Sequence, residues 1–241
     1  MTRGLAALLL LVLLVGGGWL WVRDSSLAKV RKVTVTGATT SEQDQVRAAL
    51  EHAARRMTTL HVREEALRDA VASYPSVADL SVRTDFPHGM SIEVREHRPV
   101  AALVTGDRRI PVSGDGVVLT GVRAPQDLPD VKVKTAPVKR VEDARTRAAV
   151  AVAAAAPAPL LARTERIGWE SRGLTAILSD GPPLHFGDKR DAARKWAAAA
   201  RVMREESAAG ATYLDLRVTG RVAAGGVGPV PQEEPEVVPE P

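Results

Sequence analysis

Cysteine is absent from this chain, which excludes both a disulfide framework and a thiolate metal site. Aromatic residues are scarce at 3%, while apolar residues, mainly alanine and valine, reach 45%, so any core rests on many small burials rather than a few large rings. The phosphate-cradling GxxxxGK[ST] pattern is missing, as is HExxH, and His52, His61, His88, His97 and His185 are scattered without zinc-ligand spacing. Ser113-Gly114-Asp115-Gly116 lacks the flanking glycines of a nucleophile elbow and reads as a hairpin turn. Glu93 and Glu96 stand in an alternating stretch beside arginines, as surface carboxylates do. Catalysis, a cofactor, a metal site and a small-molecule substrate are therefore not expected. Dense arginine clusters interleaved with aromatics are also lacking, which argues against nucleic acid.

Charge is unevenly spread. The net +4 includes −4 in residues 222–241, where Glu233, Glu234, Glu236 and Glu240 occur with no Lys or Arg, so the remainder carries +8. A basic body of this kind suits an anionic membrane surface or wall polymer, or simply a solvated surface.

Residues 4–22 (GLAALLLLVLLVGGGWLWV) hold no charge and, as a helix, would span about 28 Å, close to the hydrocarbon thickness of a bilayer. Trp19 and Trp21 fall at the far end, where amphipathic rings prefer the headgroup zone. The competing reading is a cleaved signal peptide; Ser26-Leu27-Ala28 resembles a cleavage site, but Arg23 and Asp24 separate it from the apolar run. Arg23, Lys29, Arg31 and Lys32 follow the span and only Arg3 precedes it, a bias that taken alone puts the large portion in the cytoplasm.

Beyond a linker at residues 23–29, residues 30–36 alternate with β-branched side chains as a half-exposed strand, and Gly37 ends it. Ser41 and Asp44 open a helical pattern with Val46, Ala49, Leu50 and Ala53 on one face. A second helix is predicted over 62–74 and stopped by Pro75, followed by a strand with one irregularity over 77–84, a turn at 86–89 and a strand over 90–96. From residue 100 the pattern becomes hairpin-rich: strands are predicted at 101–104, 109–112 and 116–122, a helix over 141–156 ending at Pro157, and strands near 166–169, 174–178 and 184–186. A helix from Lys189 to about residue 207 precedes a last strand over 213–219, with Tyr213, Asp215 and Arg217 alternating against Leu214, Leu216 and Val218. Trp169 and Trp196 are assigned to the core, and the Pro/Glu-rich stretch 223–241 to a disordered tail. The predicted class is α+β.

A single span, then VRKVTVTGATTSEQDQVRAAL and YPSVADLSVRTDFPHGMSIEVREHRPVA, resembles the POTRA module of the FtsQ/DivIB cell-division proteins. GDGVVL, DLPDV, PPLHFGDKRDAARKWAAA and YLDLRVTGR are similar, in order, to landmarks of that family's β domain. The resemblance implies a cytoplasmic N-terminus (residues 1–3), a transmembrane helix over 4–22, an external strand-helix-helix-strand-strand POTRA domain over 30–98 and a mixed β-rich domain with helices over 99–222. This topology overrides the basic flank. It also implies a non-catalytic scaffold in the cell membrane at the division septum, linking FtsB/FtsL-type partners and other septal proteins by strand addition outside the membrane. The implied docking strand is Tyr213, Leu214, Asp215, Leu216, Arg217, Val218 and Thr219. Two other classes stay open: a secreted or anchored wall-binding protein, and a POTRA-type chaperone for exported polypeptides. On the opposing reading of the docking strand, Leu214, Leu216 and Val218 are all core and the strand is interior.

Overall fold

The structure is a computed structural model that describes residues 25–205 and 210–226. The predicted span at 4–22 lies outside the described residues, and among those described no helix is long and apolar enough to cross a membrane. The chain divides into two units, one running to His97 with Leu119–Val122 added, the other comprising Arg98–Val118 and the chain from Arg123 onward.

The first unit follows the predicted order. Strand β1 (Lys32–Thr36), helices α1 (Gln43–Ala54) and α2 (Glu64–Val71), and strands β2 (Val77–Asp85) and β3 (Gly89–Glu96) form a three-stranded sheet in the order β1-β3-β2. β3 lies parallel to β1 and antiparallel to β2, which carries its register shift between Val77 and Asp79. Strict alternation in β3 buries Met90, Ile92 and Val94 and leaves Ser91, Glu93 and Arg95 outside. Those three pack with Val46 and Leu50 of α1 and with Leu67 of α2. Gly37 has φ +87°, and a Cβ there would meet the Val94 carbonyl, so the turn out of β1 demands glycine. The predicted serine cap is not used: Glu42 occupies the N-cap position of α1 without a side-chain cap bond. Glu96 is not a plain surface acid. It accepts from the backbone and hydroxyl groups of Thr39 and Thr40, tying the β1–α1 turn to the end of β3.

The second unit is one eight-stranded sheet in the order β11-β10-β9-β8-β7-β6-β4-β5. Its strands are β4 (Pro99–Thr105), β5 (Arg108–Ser113), β6 (Asp130–Lys132), β7 (Thr164–Glu170), β8 (Gly173–Leu178), β9 (Leu184–Gly187), β10 (Tyr213–Asp215) and β11 (Ala223–Gly225). Helices α3 (Ala144–Ala154), α4 (Ala158–Leu161) and α5 (Ala192–Val202) complete it. Asp143 caps α3 through the Thr146 N–H and hydroxyl, both at 2.7 Å. Ala148, Ala149, Val152 and Ala153 of α3 are buried with Leu103, Val131, Ile167, Leu174, Phe186 and Trp196 in a single core. Small side chains let this helix sit close on the sheet.

Three expectations are corrected. Residues 116–122 do not form a strand; the Ser113 hydroxyl accepts the Val117 N–H and closes a tight turn, leaving only isolated bridges at Val117 and Val118. Pro157 follows the end of α3, as predicted, and stands at the N-cap of α4. Trp196 is fully buried as expected, whereas Trp169 is 40% exposed, its indole N–H donating to the Arg145 carbonyl and its ring lying 5.3 Å from the Arg145 guanidinium. Finally, residues 223–225, assigned to a tail, form β11.

Candidate partner-binding site

The docking strand predicted over 213–219 is shorter than its alternation suggests. Only Tyr213, Leu214 and Asp215 form β10, paired in parallel with β9 on one side and antiparallel with β11 on the other. Leu216 still donates its N–H to the His185 carbonyl, but beyond it the chain turns away. The cause is local. The Asp215 carboxylate accepts the Arg217 N–H at 3.0 Å and grips the Arg217 guanidinium at 2.6 to 3.0 Å, which bends the backbone at once. Tyr213 to Asp215 is therefore not a free margin. Among the described residues the unpaired margin is that of β11, the last strand of the sheet.

The alternation does set the faces. Leu214 and Leu216 are buried in the core, while Val218 is 61% exposed, and Arg217 and Thr219 are exposed with it. Tyr213 and Asp215 share the other face with His185 and Arg172. The Arg172 guanidinium sits 4.3 Å from the Tyr213 ring centre, and the His185 ring 5.6 Å from it. Thr175 shares a 3.0 Å hydrogen bond with His185 Nδ1 beneath the ring. Opposite Tyr213 on β11 stands Gly225, and a Cβ there would overlap the tyrosine ring. Glycine lets the aromatic lie flat over the end strand.

Electrostatics fix this end of the sheet. Burial, then the neighbouring Arg172, hold His185 below the usual histidine range, so it is neutral at physiological pH. The Arg217 side chain holds Asp215 below the usual carboxylate range. At the β9–α5 junction Asp188 is drawn down to about 2, first by the Arg190 side chain, against an opposing burial effect, then by the Arg190 N–H and by Lys195. Asp191, at φ 51°, accepts from the Thr219 hydroxyl at 3.2 Å and so ties the segment after β10 to the start of α5. In the first unit, burial alone would raise Glu96, but its hydrogen bonds from Thr39 and Thr40 together hold it low.

These carboxylates give stability a pH dependence of known sign. Each has a folded pKa below its unfolded value, so the unfolded chain binds more protons through the acid range and stability rises with pH there. The contribution is complete above about pH 4, and for Asp188 it is lost as pH falls towards about 2. Amide exchange in α5 is expected to accelerate between pH 4 and 2.5, after correction for intrinsic rates, and Asp188→Asn should flatten that dependence. An unchanged slope in the variant would assign the acid sensitivity elsewhere.

Residues 28–97 match the FtsQ-type POTRA domain, and residues 102–217 match the C-terminal domain of the cell division protein FtsQ/DivIB. The chain belongs to the FtsQ/DivIB family. Among curated relatives, the cell division protein FtsQ of Streptomyces coelicolor is 26% identical over 236 residues, 93% of this chain and 88% of the relative. The cell division protein FtsQ of Mycobacteroides abscessus is 30% identical over 198 residues, 80% of this chain and 62% of the relative. The chain is thus a cell-division protein, its first unit a POTRA domain and its second the FtsQ/DivIB C-terminal domain within a mixed α+β fold. The matched C-terminal region ends at Arg217, so β11 lies just beyond it. Reasoning from sequence missed β11 because Ala223-Ala224-Gly225 carries no β-branched or aromatic residue; the available signal was its distance from β10, with Gly220 at φ +86° in the turn between them.

Proposed function

We propose that this protein is a non-catalytic scaffold of the division septum, anchored in the cell membrane by residues 4–22 with both folded units outside. It holds FtsB/FtsL-type partners through strand addition to the outer margin of β11, next to β10. The observation that carries this reading is the outer margin of β11: among the described residues no further strand pairs with it, and its backbone is fringed only by alanine and glycine. An incoming strand meets little steric obstruction there. Main-chain hydrogen bonds supply affinity, and the adjoining Tyr213, Asp215, Arg217, Val218 and Thr219 supply selectivity. Leu214 and Leu216 act from beneath, holding β10 to the core.

A photo-crosslinking amino acid at Ala223 or Val218, in dividing cells, is expected to capture the FtsB-type partner, while the same group at Arg108 on the opposite sheet margin captures none. Tyr213→Ala should reduce co-purification of that partner by about tenfold, the scale of one aromatic hot spot, with amide exchange in α3 unchanged. Capture from Arg108 alone, or undiminished co-purification with Tyr213→Ala, overturns the assignment.

A further inference from the structure

The second sheet is forked. β6 pairs with β4 over three residues but with β7 only at Asp130 and Arg166. Past Arg166, the side of β7 away from β8 has no strand partner among the described residues, although β7 continues to Glu170 against β8. The backbone after β6 diverges through residues 133–143, and a cleft of about 1140 Å³ opens between the two branches, floored by the start of α3.

Its walls are basic and partly apolar. Lys132, Lys134 and Lys139 are exposed along one branch, with Arg145 at the floor and Arg166 on the other. Acidic groups are present too, but most are committed: Asp130 to Arg109, Glu170 to Arg166, and Asp143 to the cap of α3. Two apolar groups stand open at this cleft, Trp169 at 40% exposure and Val138 at 81%. Backbone edge, cations and an open indole together suit an extended, acidic, proline-containing peptide.

The same chain carries such a segment. Residues 227–241 contain Glu233, Glu234, Glu236 and Glu240, no Lys or Arg, and five prolines. They follow Gly226, just past β11, and the cleft lies on the far side of β7, five strand spacings from β11 to β6, about 24 Å at the usual spacing. Ten extended residues cover about 33 Å, so Glu236 and Glu240 have the reach to meet the cleft. We infer that residues 227–241 dock in cis in the forked cleft between β6 and β7, their glutamates against Lys132, Lys134, Lys139 and Arg145 and a proline on Trp169. This docking does not depend on the partner margin at β11.

Amide exchange of the full chain in detergent, compared with a chain ending at Gly226, tests this. In the shortened chain, those amides of residues 166–170 that are not bonded to β8, and residues 132–141, should exchange about tenfold faster. The full chain with Glu233, Glu234, Glu236 and Glu240 all changed to Gln should behave likewise. Adding a synthetic peptide of residues 227–241 to the shortened chain should restore protection in a salt-sensitive manner, and Trp169→Ala should weaken that restoration about tenfold. Equal exchange in full and shortened chains overturns the inference, as does equal protection by the peptide with its glutamates replaced. Neither result touches crosslinking at Ala223.

Discussion

Trp196→Ala is expected to destabilise the second unit by about 3–5 kcal/mol, the range for removing a buried tryptophan. The side chain has no exposed surface, and its ring packs against Phe186 of β9 at 4.9 Å between centroids. It also does something no aliphatic residue can. The indole N–H donates at 2.9 Å to the Val152 carbonyl, in the last turn of α3, where the helix supplies fewer N–H partners of its own. One residue thus joins α5, β9 and the end of α3. Trp196→Phe keeps most of the apolar volume and leaves that carbonyl buried without its donor, a loss of about 1–3 kcal/mol. The expected order is wild type, then Phe, then Ala. Exchange of β3 amides serves as an internal control, because Met90, Ile92 and Val94 belong to a separate core. Acceleration in α3, α5 and β9 with β3 unchanged confirms the role; equal exchange in the Phe and Ala variants would deny the hydrogen bond any weight.

The legible parts of this chain were those where one face is buried and the period is clean. In β3, Met90, Ile92 and Val94 face the core every second residue, and in α1 Val46, Leu50 and Ala54 recur at helical spacing. β2 was readable down to its irregularity. Where local hydrogen bonding competes with pattern, the sequence misled. Residues 213–219 alternate as well as any strand in the chain, yet Asp215 captures Arg217 and ends the strand after three residues. β6 and β11 have three residues each and no period to detect, and their partners, β4 and β10, were needed to define them. Trp169 looked like core because tryptophan usually is; its exposure follows from the fork in the sheet, a tertiary feature without a local signature. The faces of the candidate strand were legible to the same degree. Tyr213, Asp215 and Arg217 were placed on one side from alternation alone, but the strand that covers them was not foreseen.

Lys195 was equally invisible, lying in a stretch read only as a helix, and it leads to the second large effect. Its side chain is 3% exposed, and its ammonium donates to the Phe186 carbonyl at 2.8 Å and to Asp188 at 3.3 Å. Asp188 itself is 38% exposed, so the pair is weaker than a fully enclosed one, and breaking it is expected to cost on the order of 2–3 kcal/mol rather than the larger values of dry interiors. Asp188→Asn is the informative change, because an amide oxygen still accepts the Arg190 N–H that shapes this turn. What it removes is the negative charge facing a buried cation. Lys195→Met removes the cation instead and fills a similar volume, so it should cost less than Asp188→Asn. The double variant should be more stable than Asp188→Asn alone, since the aspartate matters chiefly while the ammonium is there. Exchange in α5 and β9 measures all three. Because Asp191 at the head of α5 also holds Thr219, Asp188→Asn should loosen residues 216–219 and weaken partner capture, and Lys195→Met added to it should restore both. A double variant no better than Asp188→Asn would show that the turn, and not the buried charge, holds this corner.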